Sequence, residues 1–383
     1  MPRITGQLRS IEHNGERAEA FSPAPLPPAD PPLRMEGQIA QLHEQACASL
    51  DRLRIAMALV PDPDWYLYGF VRKEAVITSR IEGTQATLAD VLTYEATNNA
   101  DNPDDVEEVC NYVRALTVAR RSTEQGPVAI KTLCEAHRAL MTGARGADKQ
   151  PGMIRTTQNW VGGSKPGNAI FVPPPPEDVP GALADLQAWI AHDDSLPPLV
   201  RIGLAHAQFE TIHPFHDGNG RIGRLLISLL LEQWGLLRPP LLYISLAFRR
   251  EQLRYYSALT RIRTSGDWEG WIEFFLRCVI ESADDAVVAA QRLAGTVSAD
   301  HRRLLAHPDA TVSALRLFDA LSQHPIVTGP LVEQLLDVAT PTANKAIAAL
   351  IAAGILEEMT GRRRGREYGY SAYLRILTGD EEA

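Results

Sequence analysis

The sequence predicts a mainly α-helical protein, a helical bundle interrupted by one β-hairpin and followed by a smaller helix-turn-helix domain. Three observations carry this. Apolar residues recur at helical spacing through most of residues 35–305. Residues 156–176 break that period, with two β-prone ends around a Gly-Lys-Pro-Gly middle. From about Thr311 short helices, a turn and two short strands around a basic tip take over.

Taken in order, residues 1–33 are proline-rich ("FSPAPLPPADPPL") and read as an extended arm, either a packing strap or a loose leader. Amphipathic segments follow: "MEGQIAQLHEQACASLDRLRIAMAL", "YLYGFVRKEAVITSRIEG", "DDVEEVCNYVRALTVARRST" and "IKTLCEAHRALM". "TTQNWVGGSKPGNAIFVPPPP", Thr156 to Pro176, is the hairpin. Helices resume at "EDVPGALADLQAWIAH" and "PPLVRIGLAHAQFETI", then a glycine-rich turn, "HPFHDGNGRIGR", runs into "LLISLLLEQWGLL". "RREQLRYYSALTRIRTSG" and "DWEGWIEFFLRCVIESADDAVVAAQRL" complete the body. In the tail, "VSALRLFDALSQ" precedes two helices split near Asp337 and the strands of "EEMTGRRRGREYGYSAY". That order describes a winged helix. The predicted divisions are 1–60 (arm and first helix), 61–298 (the helical body) and 305–383 (the winged-helix-like domain).

The chain has 383 residues and a net charge of −9, so its bulk electrostatics favour neither nucleic acid nor an anionic membrane. The apolar segment Leu225 to Leu231, broken by Ser228, is far too short to span a bilayer. The amino terminus lacks the apolar core of a signal peptide. The four cysteines, Cys47, Cys110, Cys134 and Cys278, form no CxxC pair and read as small buried thiols. Together these point to a cytoplasmic protein.

Gly218, Gly220 and Gly223 satisfy GxGxxG, but a dinucleotide site needs a preceding strand and an acidic residue about twenty positions on. Here a helix precedes, and no Asp or Glu lies between Gln233 and Arg250. An isolated phosphate site fits better. Gly218-Asn219-Gly220 can turn successive N–H groups toward one anion, and the helix that follows aims its positive end at the same place. Arg221 and Arg224, three apart, can clamp further oxygens. Asp217 suits a hard cation such as Mg²⁺ sharing phosphate and water ligands, and His213 suits proton transfer near neutrality. A capped corner between two core helices is the plainer reading of any one of these residues; their conjunction favours phosphoryl-type transfer. His216 reads as structural.

"HPFHDGNGRIGR" resembles the Fic-family signature HxFx(D/E)GNGRxxR at every specified position, and the likeness extends over most of residues 60–295. It implies a Fic-type helical bundle and protein adenylylation, in which AMP moves from ATP to a hydroxyl side chain of a target, or of the chain itself, with release of pyrophosphate. By position, His213 would deprotonate the hydroxyl and Asp217 would hold Mg²⁺. Gly218, Asn219 and Gly220 would cradle the phosphates, with Gly223 in the same turn, and Arg221 and Arg224 would bind the outer ones. The hairpin is similar to the family's flap, so Gly163, Ser164, Ile170 and Phe171 would align target backbone.

"TSRIEG" resembles the inhibitory motif (S/T)xxxE(G/N) of Fic proteins whose regulatory helix, here about 69–83, precedes the catalytic core. Thr78 and Glu82 lie one helical turn apart, and Gly83 can end the helix. Glu82 would then face Arg224 in the place of the ATP γ-phosphate. The same resemblance leaves removal of AMP, and a homodimer, open. The tail raises a rival of another class, a DNA-binding regulator carrying a Fic domain: Arg362, Arg363, Arg364 and Arg366 could meet phosphates, with Asn344 and Lys345 reading bases.

Overall fold

A computed structural model of the chain describes residues 3–13, 15–60, 62–143, 148–238 and 242–379. It is mainly helical. Strands β1 (Gly6–His13) and β2 (Glu16–Pro23) open the chain, followed by helices α1 (Gln38–Met57), α2 (Asp64–Ile81), α3 (Leu88–Thr97), α4 (Pro103–Thr123) and α5 (Ile130–Leu140). Beyond a long loop come α6 (Val179–Ala191), α7 (Pro198–Ile212), α8 (Asn219–Gln233), α9 (Ile244–Arg250), α10 (Gln252–Ser265) and the 38-residue α11 (Trp268–Leu305). The tail is α12 (Val312–Ala320), β3 (Ile326–Thr328), α13 (Gly329–Leu336), α14 (Thr340–Ala352), β4 (Glu357–Glu358), β5 (Glu367–Gly369) and α15 (Ser371–Thr378).

The chain gathers into two compact units. One comprises residues 1–51, 77–83 and 111–283; the other, 52–76, 84–110 and 284–383. In the first unit α7 and α8 form the centre. Every residue of α7 from Leu199 to Ile212 is buried, as is α8 from Arg221 to Leu231, so both are sequestered all round. Small residues allow the close approach. A Cβ at Gly203 would lie 2.9 Å from the Phe275 ring, and the Gly203 carbonyl accepts from Trp271 Nε1 at 2.8 Å.

Two expectations change here. The amino-terminal arm is not simply extended, because its first half forms the antiparallel β1–β2 hairpin, with His13 opposite Glu16 and Gly15 at φ 81°. The arm is strapped down by Arg3, whose guanidinium donates to both carboxylate oxygens of Glu269 (2.8 and 2.9 Å) and to the Pro31, Pro32 and Gly266 carbonyls. The stretch 156–176, in turn, is a loop closed by one bridge, Val161 to Phe171, with a 3₁₀ turn at Pro166–Asn168. Gly162 and Gly163 at φ 69° and 73° bend the first arm away, and the prolines at 173–176 cannot donate to a ladder.

In the second unit Trp65 packs against Phe318, Tyr370 and Tyr373, with ring centroids 5.4 to 5.9 Å apart. Tyr373 Oη donates to the Trp65 carbonyl (2.8 Å) and Tyr370 Oη to Asp300 (2.7 Å), so each buried hydroxyl is satisfied. The tail sheet has the order β3-β5-β4, antiparallel throughout.

Candidate active site

The glycine-rich turn joins the two central helices. His213 ends α7 in the left-handed region, φ 50°, and Gly218, φ 73°, begins α8 with no side-chain cap. The first-turn N–H groups of α8 therefore face the turn's mouth carrying the helix's positive end. Asn219 holds the turn shut: its Oδ1 accepts from Phe215 N and its Nδ2 donates to Phe215 O, both at 2.8 Å. Asn219 is thus a clamp of the turn through its side chain, leaving only its backbone N–H for an anion. Gly223 faces away from the mouth. A Cβ there would sit 2.3 Å from Glu210 Oε1 and 3.3 Å from His206, so this glycine serves the contact between α7 and α8 rather than a phosphate.

Beneath the turn lies a histidine that sequence reasoning missed. His137 on α5 stacks on Phe215 with centroids 3.8 Å apart and rings 4° from parallel. Gly152 N–H donates to its Nδ1 (2.8 Å), which puts the proton on Nε2, where it donates to the Asp217 carbonyl (3.0 Å). Asp217 projects from this support with its side chain about half exposed, Oδ1 accepting from Gly218 N at 2.6 Å and lying 3.9 Å from Arg221. Among the described residues no cluster of three metal-ligating side chains exists.

A second missed residue, Arg155, is 1% exposed and bonds only to carbonyls: Nε to His213 (2.9 Å), Nη2 to Pro174 (2.6 Å) and Nη1 to Thr157 (3.4 Å). It therefore ties both ends of the loop 156–176 to the backbone of His213. The imidazole of His213 keeps Nδ1 without a partner among the described residues. Burial, then the charges of Arg263 and Arg155, lowers its pKa to about 4, so it is a neutral imidazole at neutral pH. At the loop's tip, Asn168 Oδ1 accepts from Ser164 N and Lys165 N, and Ile170 is 78% exposed. Phe171 lies under the Arg263 guanidinium at 3.7 Å, and Gly163 leaves no room for a Cβ beside Asn168.

Arg224 and Glu82 meet. The Arg224 side chain is 1% exposed and donates through Nε to Thr78 Oγ1 (2.6 Å), and through Nη2 to Thr78 O (3.0 Å) and Glu82 Oε1 (2.6 Å). The Thr78 carbonyl can accept because the last turn of α2 tightens, with Glu82 N donating to Ser79 O instead. Gly83, φ 104°, then takes the chain out of the helix. Burial pushes the Glu82 carboxyl up, but Arg224, with Arg221 and His213 behind it, outweighs this and holds it below its usual range. A Cβ at Gly220 would lie 2.4 Å from Glu82 Oε1, so the carboxylate sits directly over the first turn of α8.

Two further ionisable groups of α7 lie just behind. His206 bridges the Gly223 carbonyl (2.8 Å) and Tyr255 Oη (2.9 Å). Glu210 is buried, and that burial pushes its carboxyl up to about 7 against the pull of Arg224 and Arg263. Their i, i+4 spacing inside the otherwise apolar "LAHAQFETI" was the signal that could have found them. Both have consequences for stability. His137 and His213 are lowered to about 4 and His206 to about 3, chiefly by burial. The stability tied to these neutral rings is kept above about pH 6.5 and lost as pH falls toward 4, on the order of 3 kcal/mol for each ring. Glu210 has the opposite sign: stability present below its unfolded value is lost as pH rises through about 7. Calorimetric melting between pH 4 and 8 should show stability rising with pH to a plateau above about pH 7, and Glu210→Gln, which removes the one opposing contribution, should make the rise between about pH 5 and 7 steeper. An unchanged steepness in Glu210→Gln would contradict the raised pKa of that carboxyl.

The central turn thus brings together an uncapped helix start, a neutral histidine and two arginines, an arrangement suited to an anion. By comparison, residues 40–121 match the Fic/DOC family N-terminal domain and residues 127–231 the Fic/DOC family. It is 38% identical over 91 residues (24% of this chain, 26% of the relative) to a probable protein adenylyltransferase of Aquifex aeolicus. To protein adenylyltransferase Fic of Drosophila willistoni it is 28% identical over 256 residues, 64% of this chain and 48% of that one. The chain thus spans less than half the length of these curated relatives. A Fic family protein from Desulfovibrio desulfuricans shares the fold at a TM-score of 0.57 and 23% identity, covering 89% of this chain and 98% of that one.

Proposed function

We propose that this chain is a protein adenylyltransferase that moves AMP from ATP to a Ser, Thr or Tyr hydroxyl of a target protein or of itself, and that Glu82 restrains it. The observation that carries this reading is the neutral imidazole of His213 beside the uncapped start of α8, its backbone held by Arg155. His213 takes the hydroxyl proton, the oxygen bonds to the α-phosphorus, and the bond to the β,γ-diphosphate breaks, releasing pyrophosphate with the proton left on the imidazole. The N–H groups of Asn219, Gly220 and Arg221 hold phosphate oxygens as negative charge builds. Arg224, freed from Glu82, receives the γ-phosphate. The exposed Ile170 and the adjoining flap backbone align the target segment.

Asp217 fits a magnesium site of the shared kind: one half-exposed carboxylate at the mouth, with no second or third protein ligand beside it among the described residues. Mg²⁺ held there by Asp217 would offset phosphate charge, with phosphate oxygens and water supplying its remaining ligands. Asp217→Ala should therefore weaken nucleotide binding in the presence of Mg²⁺ by roughly tenfold or more, and leave binding without Mg²⁺ unchanged. Equal loss in both titrations would remove the metal from this residue.

The reaction itself is tested by incubation with a cell lysate and ATP labelled at either the α- or the γ-phosphate. Label from the α-position should enter protein and label from the γ-position should not, with mass spectrometry locating AMP on a hydroxyl. Protein-bound γ-label would make the chain a phosphotransferase, and no incorporation even in Glu82→Gly would set the transferase reading aside.

A further inference from the structure

We propose that residues 311–370 form a winged helix that binds duplex DNA, gripping phosphates with its wing and laying α14 into a groove. The elements come in the order α12, β3, α13, α14, β4, wing, β5, with β5 between β3 and β4. A turn from Asp337 to Ala339, opened by Asp337 at φ 53°, joins α13 to α14, the spacing of a helix-turn-helix. The module has its own core: Leu317 and Phe318 of α12, Val332 and Leu336 of α13, and Ile347 and Leu350 of α14 are all buried.

The two faces of α14 differ. Ala343, Ala346, Ile347, Ala349 and Leu350 point inward, whereas Thr340, Thr342, Asn344, Lys345 and Ala348 are exposed. The outer face is thus small and polar, with one amide and one cation. Asn344 can pair with the edge of adenine, and alanine and threonine methyls suit thymine. The first turn of α14 also presents its positive end outward.

The wing supplies the charge. Arg362, Arg363, Arg364 and Arg366 are exposed, and no ion pair holds any of them among the described residues. The loop is ordered by its own bonds: Glu358 accepts from the N–H groups of Thr360 and Gly361 (2.9 and 3.0 Å), and Arg366 Nε donates to Arg362 O (2.9 Å). Gly361 and Gly365, φ 64° and 63°, set the bend. Between Thr340 and Tyr370 five cations face three carboxylates, in a chain of net charge −9, so the basic charge is local. A groove of about 1200 Å³ is lined by Asn344, Ala348 and Ile351 of α14 and by Arg362 and Arg364 of the wing, with the end of α3 and the start of α13 also on its wall. Glu95 at its edge is already paired with Arg72 at 2.7 Å. Single strands are a poorer fit, since they need several exposed aromatic platforms and the half-buried Tyr368 is the one aromatic among the residues that line the groove.

The test uses the full chain and a mixed-sequence 30-base-pair duplex, read by fluorescence anisotropy. With Lys345 and the four arginines each neutralising one phosphate, the plot of log K against log salt should have a slope of about −4.5, a loss of roughly 500-fold between 50 and 200 mM salt. A variant with all four arginines changed to alanine should bring the slope to about −1, with melting temperature and AMP transfer unchanged. Asn344→Ala should flatten preference among randomised duplexes while leaving the salt slope alone. No binding at 50 mM salt overturns the proposal, as does an unchanged slope in the arginine variant. Equal or tighter binding of a single strand of the same length overturns it too.

Discussion

Replacing His213 with alanine should lower AMP transfer, to itself and to other proteins, by a factor of about 10² to 10⁴, the usual worth of a positioned general base. A protein hydroxyl is a poor nucleophile until its proton has somewhere to go. The neighbouring groups are occupied or buried: both nitrogens of His137 are bonded, to Gly152 and Asp217, and Glu210 lies behind α8 against Gly223. His213 lies in the turn itself and is neutral across the physiological range, since its pKa is held near 4. The same surroundings place it well. Its carbonyl is fixed by Arg155 and its N–H by the Phe209 carbonyl at 2.9 Å, so a ring held at both backbone ends approaches the hydroxyl in one orientation. Binding of nucleotide should survive the substitution, because the anion site is built from the backbone of α8 and from Arg221 and Arg224. Initial rates of α-label incorporation beside calorimetric titration of ATP with Mg²⁺ separate the two effects. A variant that keeps more than a tenth of the wild-type rate would take the base role away from His213.

The glycine-rich turn was legible because its chemistry is written in one contiguous run. From His213 to Arg224 each residue type has a narrow set of backbone or charge roles, and the helical period on both sides fixes the turn as a helix start. Glu82 was legible for a different reason, as a short string matching a known pattern, and its 2.6 Å contact with Arg224 spans 142 residues that no local pattern could bridge. The supports of the site were not legible. Arg155 and His137 act through backbone carbonyls, which leave no trace in side-chain pattern, and the sequence around each looks like any polar residue between helices. The side-chain clamp of Asn219 and the inward face of Gly223 were not legible, since facing directions inside a turn depend on dihedral angles rather than spacing. The β1–β2 hairpin was overlooked although "EHNGER" contains the Asn-Gly pair that most strongly marks a two-residue hairpin turn. The prolines that follow it drew the whole arm into one extended reading. The flap erred the other way, because β-prone composition says nothing of the two glycines and four prolines that keep its arms from pairing.

Glu82→Gly should raise AMP transfer more than tenfold, and by about a hundredfold if the restraint works through misplacement of the α-phosphate. On the proposed reading the carboxylate occupies two positions an ATP triphosphate needs. It takes Nη2 of Arg224, and it lies over Gly220, where a Cβ would come within 2.4 Å of it, on the axis along which the α8 N–H groups point. ATP must displace it, or seat with its γ-phosphate short of Arg224 and its α-phosphate turned from the hydroxyl; an error of about an ångström costs on the order of 10² in rate. Arg224 is 1% exposed and keeps its bonds to Thr78 Oγ1 and the Thr78 carbonyl, so removing Glu82 leaves the guanidinium in place with one donor free. The cost in stability should be moderate. Losing one partner of a fully buried pair costs about 3 to 5 kcal/mol, but the Glu82 side chain is 34% exposed and Arg224 keeps both of its bonds to Thr78. Glu82→Gln, which keeps the shape and loses the charge, should fall between wild type and Glu82→Gly in rate. Initial rates of the three proteins, with His213→Ala as the blank and melting temperatures alongside, decide the matter: equal rates in wild type and Glu82→Gly would leave the Glu82–Arg224 pair as a structural contact only.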